Sequence, residues 1–274
     1  MTTPFVEANG ARIPAIGLGT WDLRERTCVR MVEHALRLGY RLIDTAEMYG
    51  NEREVGEGLR GSGIPRDQVF VTTKVSPEHL APPALEGAAK ESLARLKLSE
   101  VDLLLIHWPN PSIPLADTIG ALCRMKREGC AKHIGVSNFT VDLIAEAVKL
   151  ATEPLVTDQV EWHPFIDQTK VVEACRRHGL AVTAYSPMAR GAVLSDETLR
   201  GIGAQHGKTA GQVGLRYLVQ CGAVVIPRSS RPEGLAANFA IFDFELTPVE
   251  MADIARLAHP RGRLVDWSGA PDWD

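Results

Sequence analysis

Seven short apolar runs recur along this chain, six of them closing on a polar or reactive side chain: Leu42–Asp44, Val69–Lys74, Val101–His107, His133–Ser137, Val156–Glu161 and Ala181–Tyr185, with Val224–Pro227 as the seventh. Between them lie stretches whose apolar residues fall at helical spacing, among them Met31–Leu38, Ala84–Leu96, Ile119–Arg127, Val141–Leu150 and Val171–His178. Strands alternating with helices build βαβ units and a parallel sheet. The run Asp102-Leu-Leu-Leu-Ile106 is apolar at successive positions, as a strand covered on both faces must be.

The strand ends advance by 30 residues from Asp44 to Lys74, 33 to His107 and 30 to Ser137, then 24 to Glu161, 24 to Tyr185 and 43 to Arg228. Eight units of about 30 residues match a (β/α)8 TIM barrel, and a doubly wound sheet stays open because periodicity does not see closure. The longer last step accommodates an added helical segment, Leu194–His206, before Ala210–Gln220. Upstream, Phe5–Ile13 reads as two short runs around Asn9-Gly10, a two-residue hairpin that would close the barrel's bottom. No linker, low-complexity tract or internal repeat interrupts the pattern. Residues 1–274 are therefore read as one domain with an irregular tail from about His259.

A parallel barrel collects its strand ends at one mouth. Asp44, Lys74 and His107 each end a strand, and Tyr49 lies in the loop just beyond Asp44. An acid, an amine, an imidazole and a phenol gathered there make a proton-transfer site. Lys74 alone could be a Schiff-base nucleophile, an ion-pair partner or a snorkelling surface group. A carboxylate at the same depth on the neighbouring strand favours a fixed, protonated cation. Beside that cation the phenol of Tyr49, with a reference pKa near 10, should be acidified. Unit charges ~4 Å apart at an effective dielectric of ~20 interact by about 4 kcal/mol. His107, next to Trp108, is placed either to pack in the core or to donate a hydrogen bond to a substrate carbonyl.

Other motifs are weighed against simpler readings. Gly56-Glu57-Gly58-Leu59-Arg60-Gly61 matches GxGxxG but follows no strand, so it reads as helix and turn rather than as a dinucleotide loop. Arg228-Ser229-Ser230-Arg231 follows the last strand and precedes a helix-like run, where barrels place phosphate sites, and reads as an anion cradle or a solvated loop. No HxH or HExxH occurs and His163 is the only other histidine at a strand end, so no metal is expected.

Composition narrows the partners. With 30 basic against 34 acidic residues the net charge is −4, which gives no general pull toward nucleic acid or anionic membrane. Five cysteines without a CxxC pair suit free thiols. The opening Met1-Thr-Thr-Pro-Phe-Val-Glu lacks the basic and apolar regions of a signal peptide, and no apolar run approaches a membrane span. A cytoplasmic protein is the expectation, with Asn138-Phe139-Thr140 never meeting a glycosylation machinery.

In order along the chain, Gly17-Leu-Gly-Thr20-Trp21, Asp44-Thr-Ala-Glu-Met-Tyr49-Gly-Asn-Glu52, Lys74, His107-Trp108-Pro109, Gly135-Val-Ser-Asn138-Phe139, Gln159, Tyr185-Ser186-Pro187 and Ile226-Pro-Arg-Ser229 match the aldo-keto reductase superfamily. The short loops and the ending Gly262–Asp274 resemble its bacterial 2,5-diketo-gluconate reductase branch. The resemblance implies NADP(H) lying across the barrel's C-terminal mouth. It implies Tyr49 as general acid, Lys74 and Asp44 as its tuning pair and His107 as the carbonyl-orienting group. It further implies that Ser137, Asn138 and Gln159 hold the carboxamide, that Tyr185 stacks on the nicotinamide, and that Trp21 and Trp108 wall the substrate pocket beside Tyr49 and His107. Thr20, Asp44, Ser186, Arg228, Ser229, Ser230, Arg231 and Asn238 join the implied cofactor contacts. Gly234 and Ala237 stand where the family typically has an arginine and a glutamate gripping the adenosine end, so NADPH is expected while NADH use stays open.

The expectation is a monomeric reductase of small aldehydes and ketones, including keto-sugar acids and α-dicarbonyls such as methylglyoxal. A cofactor-binding redox sensor and a Schiff-base aldolase through Lys74 are its rivals.

Overall fold

The computed structural model describes residues 3–274. Strands β1 (Phe5–Ala8) and β2 (Ala11–Pro14) form the antiparallel hairpin. Its turn residues Asn9 and Gly10 have φ of 42° and 86°, the positive values a primed two-residue turn demands. Eight parallel strands follow, each beside the next in sequence order: β3 (Leu18–Gly19), β4 (Leu42–Asp44), β5 (Phe70–Val75), β6 (Val101–Ile106), β7 (Ala131–Ser137), β8 (Leu155–Glu161), β9 (Ala181–Tyr185) and β10 (Val224–Val225). The crossovers carry α1 (Glu25–Leu38), α2 (Glu52–Gly61), α3 (Pro82–Leu96), α4 (Leu115–Arg127), α5 (Val141–Leu150) and α6 (Thr169–Arg177). Helices α7 (Glu197–His206) and α8 (Ala210–Gln220) lie between β9 and β10, and α9 (Pro232–Phe239) and α10 (Pro248–Ala255) follow β10.

The sheet closes on itself. Gly17 donates its amide to the Val225 carbonyl at 2.8 Å, Val225 to that of Ala15 at 2.9 Å, and Gly19 to that of Pro227 at 3.1 Å. A Cβ on Gly19 would lie 2.6 Å from the Ile226 carbonyl oxygen, so the seam needs glycine there. The fold is thus the expected TIM-type barrel with a hairpin before it. One core lies between strands and helices. A second joins Leu42, Leu103, Leu105, Val156 and Val224 inside the barrel to Ala8, Ala11 and Ile13 of the hairpin, which plugs the bottom.

Differences from the sequence reading are local. Strand β3 carries no apolar run in the sequence, because only two residues of a glycine-rich stretch pair. Helix α10 was also absent from the expected helices; Thr247 starts it with a capping box closed by Glu250. The segment Leu194–His206 divides, its helix opening only after Asp196, whose carboxylate caps the amide of Leu199. The GxGxxG match lies inside α2, with Gly56 against the backbone of Leu96, so it serves helix packing. No helix among the described residues is long and apolar enough to cross a membrane, and all five cysteines are unpaired.

Candidate active site

The mouth of the barrel brings the four expected side chains together. Register pairs Lys74 on β5 with Leu105 on β6, and His107 follows directly after that strand. The Lys74 Nζ donates to Asp44 Oδ1 at 2.5 Å, to the Thr45 carbonyl at 2.9 Å and to the Tyr49 hydroxyl at 3.2 Å. Lysine and aspartate are almost wholly enclosed, at 0% and 2% exposure. The His107 ring meets the Tyr49 ring edge-on, centroids 5.6 Å apart.

Burial sets the protonation states. At Lys74 it opposes the charge, but the Asp44 carboxylate and then Tyr49 outweigh it and hold the ammonium above its ordinary value. At His107 it acts first and Lys74 second, both driving the imidazole well below its ordinary range, so the ring is neutral near pH 7. The expected acidification of Tyr49 does not occur: enclosure raises the phenol, Lys74 opposes and Asp44 adds to the rise. Enclosure costs the phenolate more than the Lys74 ammonium returns, and the Asp44 carboxylate 2.5 Å from that ammonium offsets part of its pull.

The loop carrying Tyr49 is clamped. Asn51 accepts from the Thr45 hydroxyl at 2.9 Å and donates to the carbonyls of Thr20 and Leu23, tying it to the loop of Trp21. Glu47 accepts from the Ser76 amide and pairs with His79 at 2.7 Å, tying it to the loop after β5. Asn51 lies within the Asp44–Glu52 motif, but its clamping role is visible only in the fold.

The implied cofactor residues fall into two groups. Around the mouth, the Ser137 hydroxyl donates to the Gln159 carbonyl at 2.6 Å, Asn138 donates to the His107 carbonyl at 2.9 Å and accepts from the Tyr185 hydroxyl at 2.8 Å, and Gln159 donates to Asp44 Oδ2 at 2.7 Å. Buried Thr20 spends its hydroxyl on the Asp44 carbonyl, and Ser186, at φ 49°, turns the chain after Tyr185. Past β10, Arg228, Ser230 and Arg231 are exposed ahead of α9. Arg228 reaches back to the Asp22 carbonyl at 3.1 Å, while the Ser229 hydroxyl is held in a turn with Arg231. Asn238 is buried on α9, and Gly234 lies against the Ser229 hydroxyl. Two exposed guanidiniums and a free hydroxyl beside a helix N-terminus suit a phosphate-bearing dinucleotide. No cluster of three metal-ligating side chains occurs among the described residues.

The tail is more ordered than its irregularity suggested. The buried Glu161 carboxylate accepts the amides of Leu264 at 2.8 Å and Val265 at 2.9 Å, and pairs with His163 at 3.0 Å. That latch lays Trp267 and Trp273 edge-on against Trp108, with centroids 5.7 and 6.0 Å away. Trp21, in the loop that Asn51 ties down, is 61% exposed and makes no aromatic contact with these rings among the described residues. A cavity of about 290 Å³ lies on the helix side of this wall, lined by residues such as Ile106, Phe139, Leu143 and Ala270 and by none of the four convergent side chains.

Comparison with known proteins agrees with this architecture. Residues 15–259 match the model of the aldo/keto reductase family. The chain is 40% identical over 266 residues to a methylglyoxal reductase DkgB from Yersinia pestis, covering 96% of this chain and 99% of that protein. The solved structure of a candidate 2,5-diketo-D-gluconic acid reductase B superposes with a TM-score of 0.98 at 46% identity, covering 100% of this chain and 98% of that one. A Bombyx mori aldo-keto reductase solved in complex with NADP superposes with a TM-score of 0.91 at 32% identity, covering 100% and 98%. With its barrel, its convergent Asp44, Tyr49, Lys74 and His107 and these relatives, the chain belongs to the aldo/keto reductase family of oxidoreductases.

Proposed function

We propose that this oxidoreductase reduces small aldehydes and ketones to alcohols with NADPH. The observation that carries the reading is the Lys74 ammonium, which contacts the Asp44 carboxylate and the Tyr49 hydroxyl together beside a neutral imidazole. Bound NADPH would supply the hydride. The chain's own residues manage the oxygen. A neutral His107 donates one ring proton to the substrate carbonyl and so orients and polarises it. Its buried Nδ1 has no partner in the structure, so the proton is assigned to Nε2, buried acceptors being left unpaired more readily than buried N–H donors. Tyr49 passes its hydroxyl proton to that oxygen as charge develops there. Lys74, 3.2 Å away, stabilises the phenolate left behind. The raised phenol pKa keeps the acid loaded at neutral pH. A Schiff-base role for Lys74 would need a neutral amine, which Asp44 and Tyr49 oppose.

Ser137, Asn138, Gln159 and Tyr185 would hold the nicotinamide end. Arg228, Ser230 and Arg231 would take the phosphates, with Arg231 replacing the charge that Gly234 lacks. Substrates on this reading are keto-sugar acids or α-dicarbonyls such as methylglyoxal, as the names of the relatives suggest. The same reading takes the chain as a single-domain, cytoplasmic monomer without nucleic-acid or membrane partners. Loss of nicotinamide absorbance with methylglyoxal and with 2,5-diketo-gluconate, NADPH and NADH in parallel, tests it. Turnover favouring NADPH supports the proposal; turnover mainly with NADH contradicts the cofactor assignment; none with either contradicts the reductase.

A further inference from the structure

The two named relatives differ in what their substrates carry: methylglyoxal is neutral, and a diketogluconic acid bears a carboxylate. The tail holds a group able to tell them apart. Arg263 immediately precedes Leu264, whose amide is latched to Glu161 at the mouth end of β8. Its guanidinium carbon lies 3.5 Å over the Trp273 ring, and Trp273 abuts Trp108, the neighbour of His107. Arg263 thus lies against the aromatic wall, one residue from the latch at the end of β8.

Its hydrogen-bonding capacity is unspent. Nη1 is buried and has no partner, and no carboxylate pairs with the guanidinium among the described residues. The nearby acids are committed elsewhere. Glu161 serves the tail amides and His163, Asp266 accepts from the amide of Trp267 and the indole of Trp273, and Asp274 accepts the Val141 amide. A half-buried guanidinium with an orphaned donor gains from an anion that satisfies it, and its planar fork matches a carboxylate.

We infer that Arg263 anchors a carboxylate on the substrate, so that the favoured substrates are carbonyl compounds carrying an acid group. The inference rests on the carbonyl-reductase reading above and names the substrate class of that same site. The stack on Trp273 fixes the plane of the guanidinium, and the Glu161 latch fixes its height above the mouth.

The test compares succinic semialdehyde with pentanal, two aldehydes of similar length of which only the first is charged, in wild type, R263Q and R263K. Wild type should have the higher kcat/KM for the acid. In R263Q the ratio of kcat/KM, acid over neutral, should fall about tenfold or more through KM of the acid, the scale of one charge-assisted hydrogen bond. R263K should recover part of that loss. Tryptophan emission reports whether Trp108, Trp267 and Trp273 still pack. A ratio in R263Q within about twofold of wild type overturns the anchor, since it lies far below the expected loss. A parallel loss for both aldehydes with shifted emission assigns Arg263 to holding the tail instead and also overturns it. A wild-type enzyme inert toward both aldehydes and toward diketo-gluconate contradicts the reductase reading itself, and the anchor falls with it.

Discussion

Gln159 donates to the one oxygen of Asp44 that Lys74 does not use, at 2.7 Å. The carboxylate is thereby satisfied on both sides although almost no solvent reaches it. Replacing Gln159 by Leu leaves that oxygen bare and should cost about 1–3 kcal/mol. For a chain of this size each kcal/mol lowers Tm by roughly 2–4 °C. Thermal unfolding of Gln159→Leu against wild type checks this, and an unchanged Tm would contradict it.

Removing Lys74 strands the Asp44 charge. Lys74→Met should destabilise by about 3–5 kcal/mol, and adding Asp44→Asn should recover much of that, because the pair and not either member alone is tolerated inside. A double-mutant cycle in denaturant measures the coupling. Additive losses would mean that the 2.5 Å contact contributes no pair energy.

Raised Tyr49 and depressed His107 predict a broad pH plateau for reduction. The phenol stays protonated below a pKa that lies above 10, so rate is lost only as pH rises through that raised value. His107 stays neutral until pH falls well below 6.5. Linkage gives the sign for stability: the unfolded chain binds a proton at His107 below pH about 6.5 while the folded chain resists it, so stability falls as pH drops beneath that value. His107→Gln should flatten that acid limb in urea titrations across pH.

The latch at Glu161 predicts a tail that can be released alone. At that carboxylate burial opposes the charge, but His163 and the amides of Val265 and Leu264 outweigh it and hold it below its ordinary value. Glu161→Ala should shift tryptophan emission and open a protease-sensitive site near residues 262–266. The barrel's core is built without these residues and should unfold cooperatively at a Tm lowered by only a few degrees, the scale of about 1–2 kcal/mol.

The barrel was legible in the sequence because its strands are apolar at successive positions and end at or beside Asp44, Lys74, His107 and Ser137 at near-regular steps. The gathering of Asp44, Tyr49, Lys74 and His107 followed from the same geometry, since parallel strands present their ends together. What escaped has physical reasons. Strand β3 pairs through two residues and is recognisable mainly by the seam at Gly19. The sign of the Tyr49 shift depends first on how completely the fold encloses the phenol, which no spacing in the sequence gives. Glu161 and the tail are 103 and 104 residues apart at their hydrogen bonds, and no local pattern announces such a contact.

The central claim is that Tyr49 supplies the proton and Lys74 makes its loss tolerable. The most direct measurement is the kcat of Tyr49→Phe for NADPH-dependent reduction of methylglyoxal, alongside NADPH affinity from quenching of tryptophan fluorescence. Removing a general acid should lower kcat by about a hundredfold or more, with affinity held within about threefold because uniform binding is untouched. A Tyr49→Phe enzyme that turns over near the wild-type rate would contradict the account.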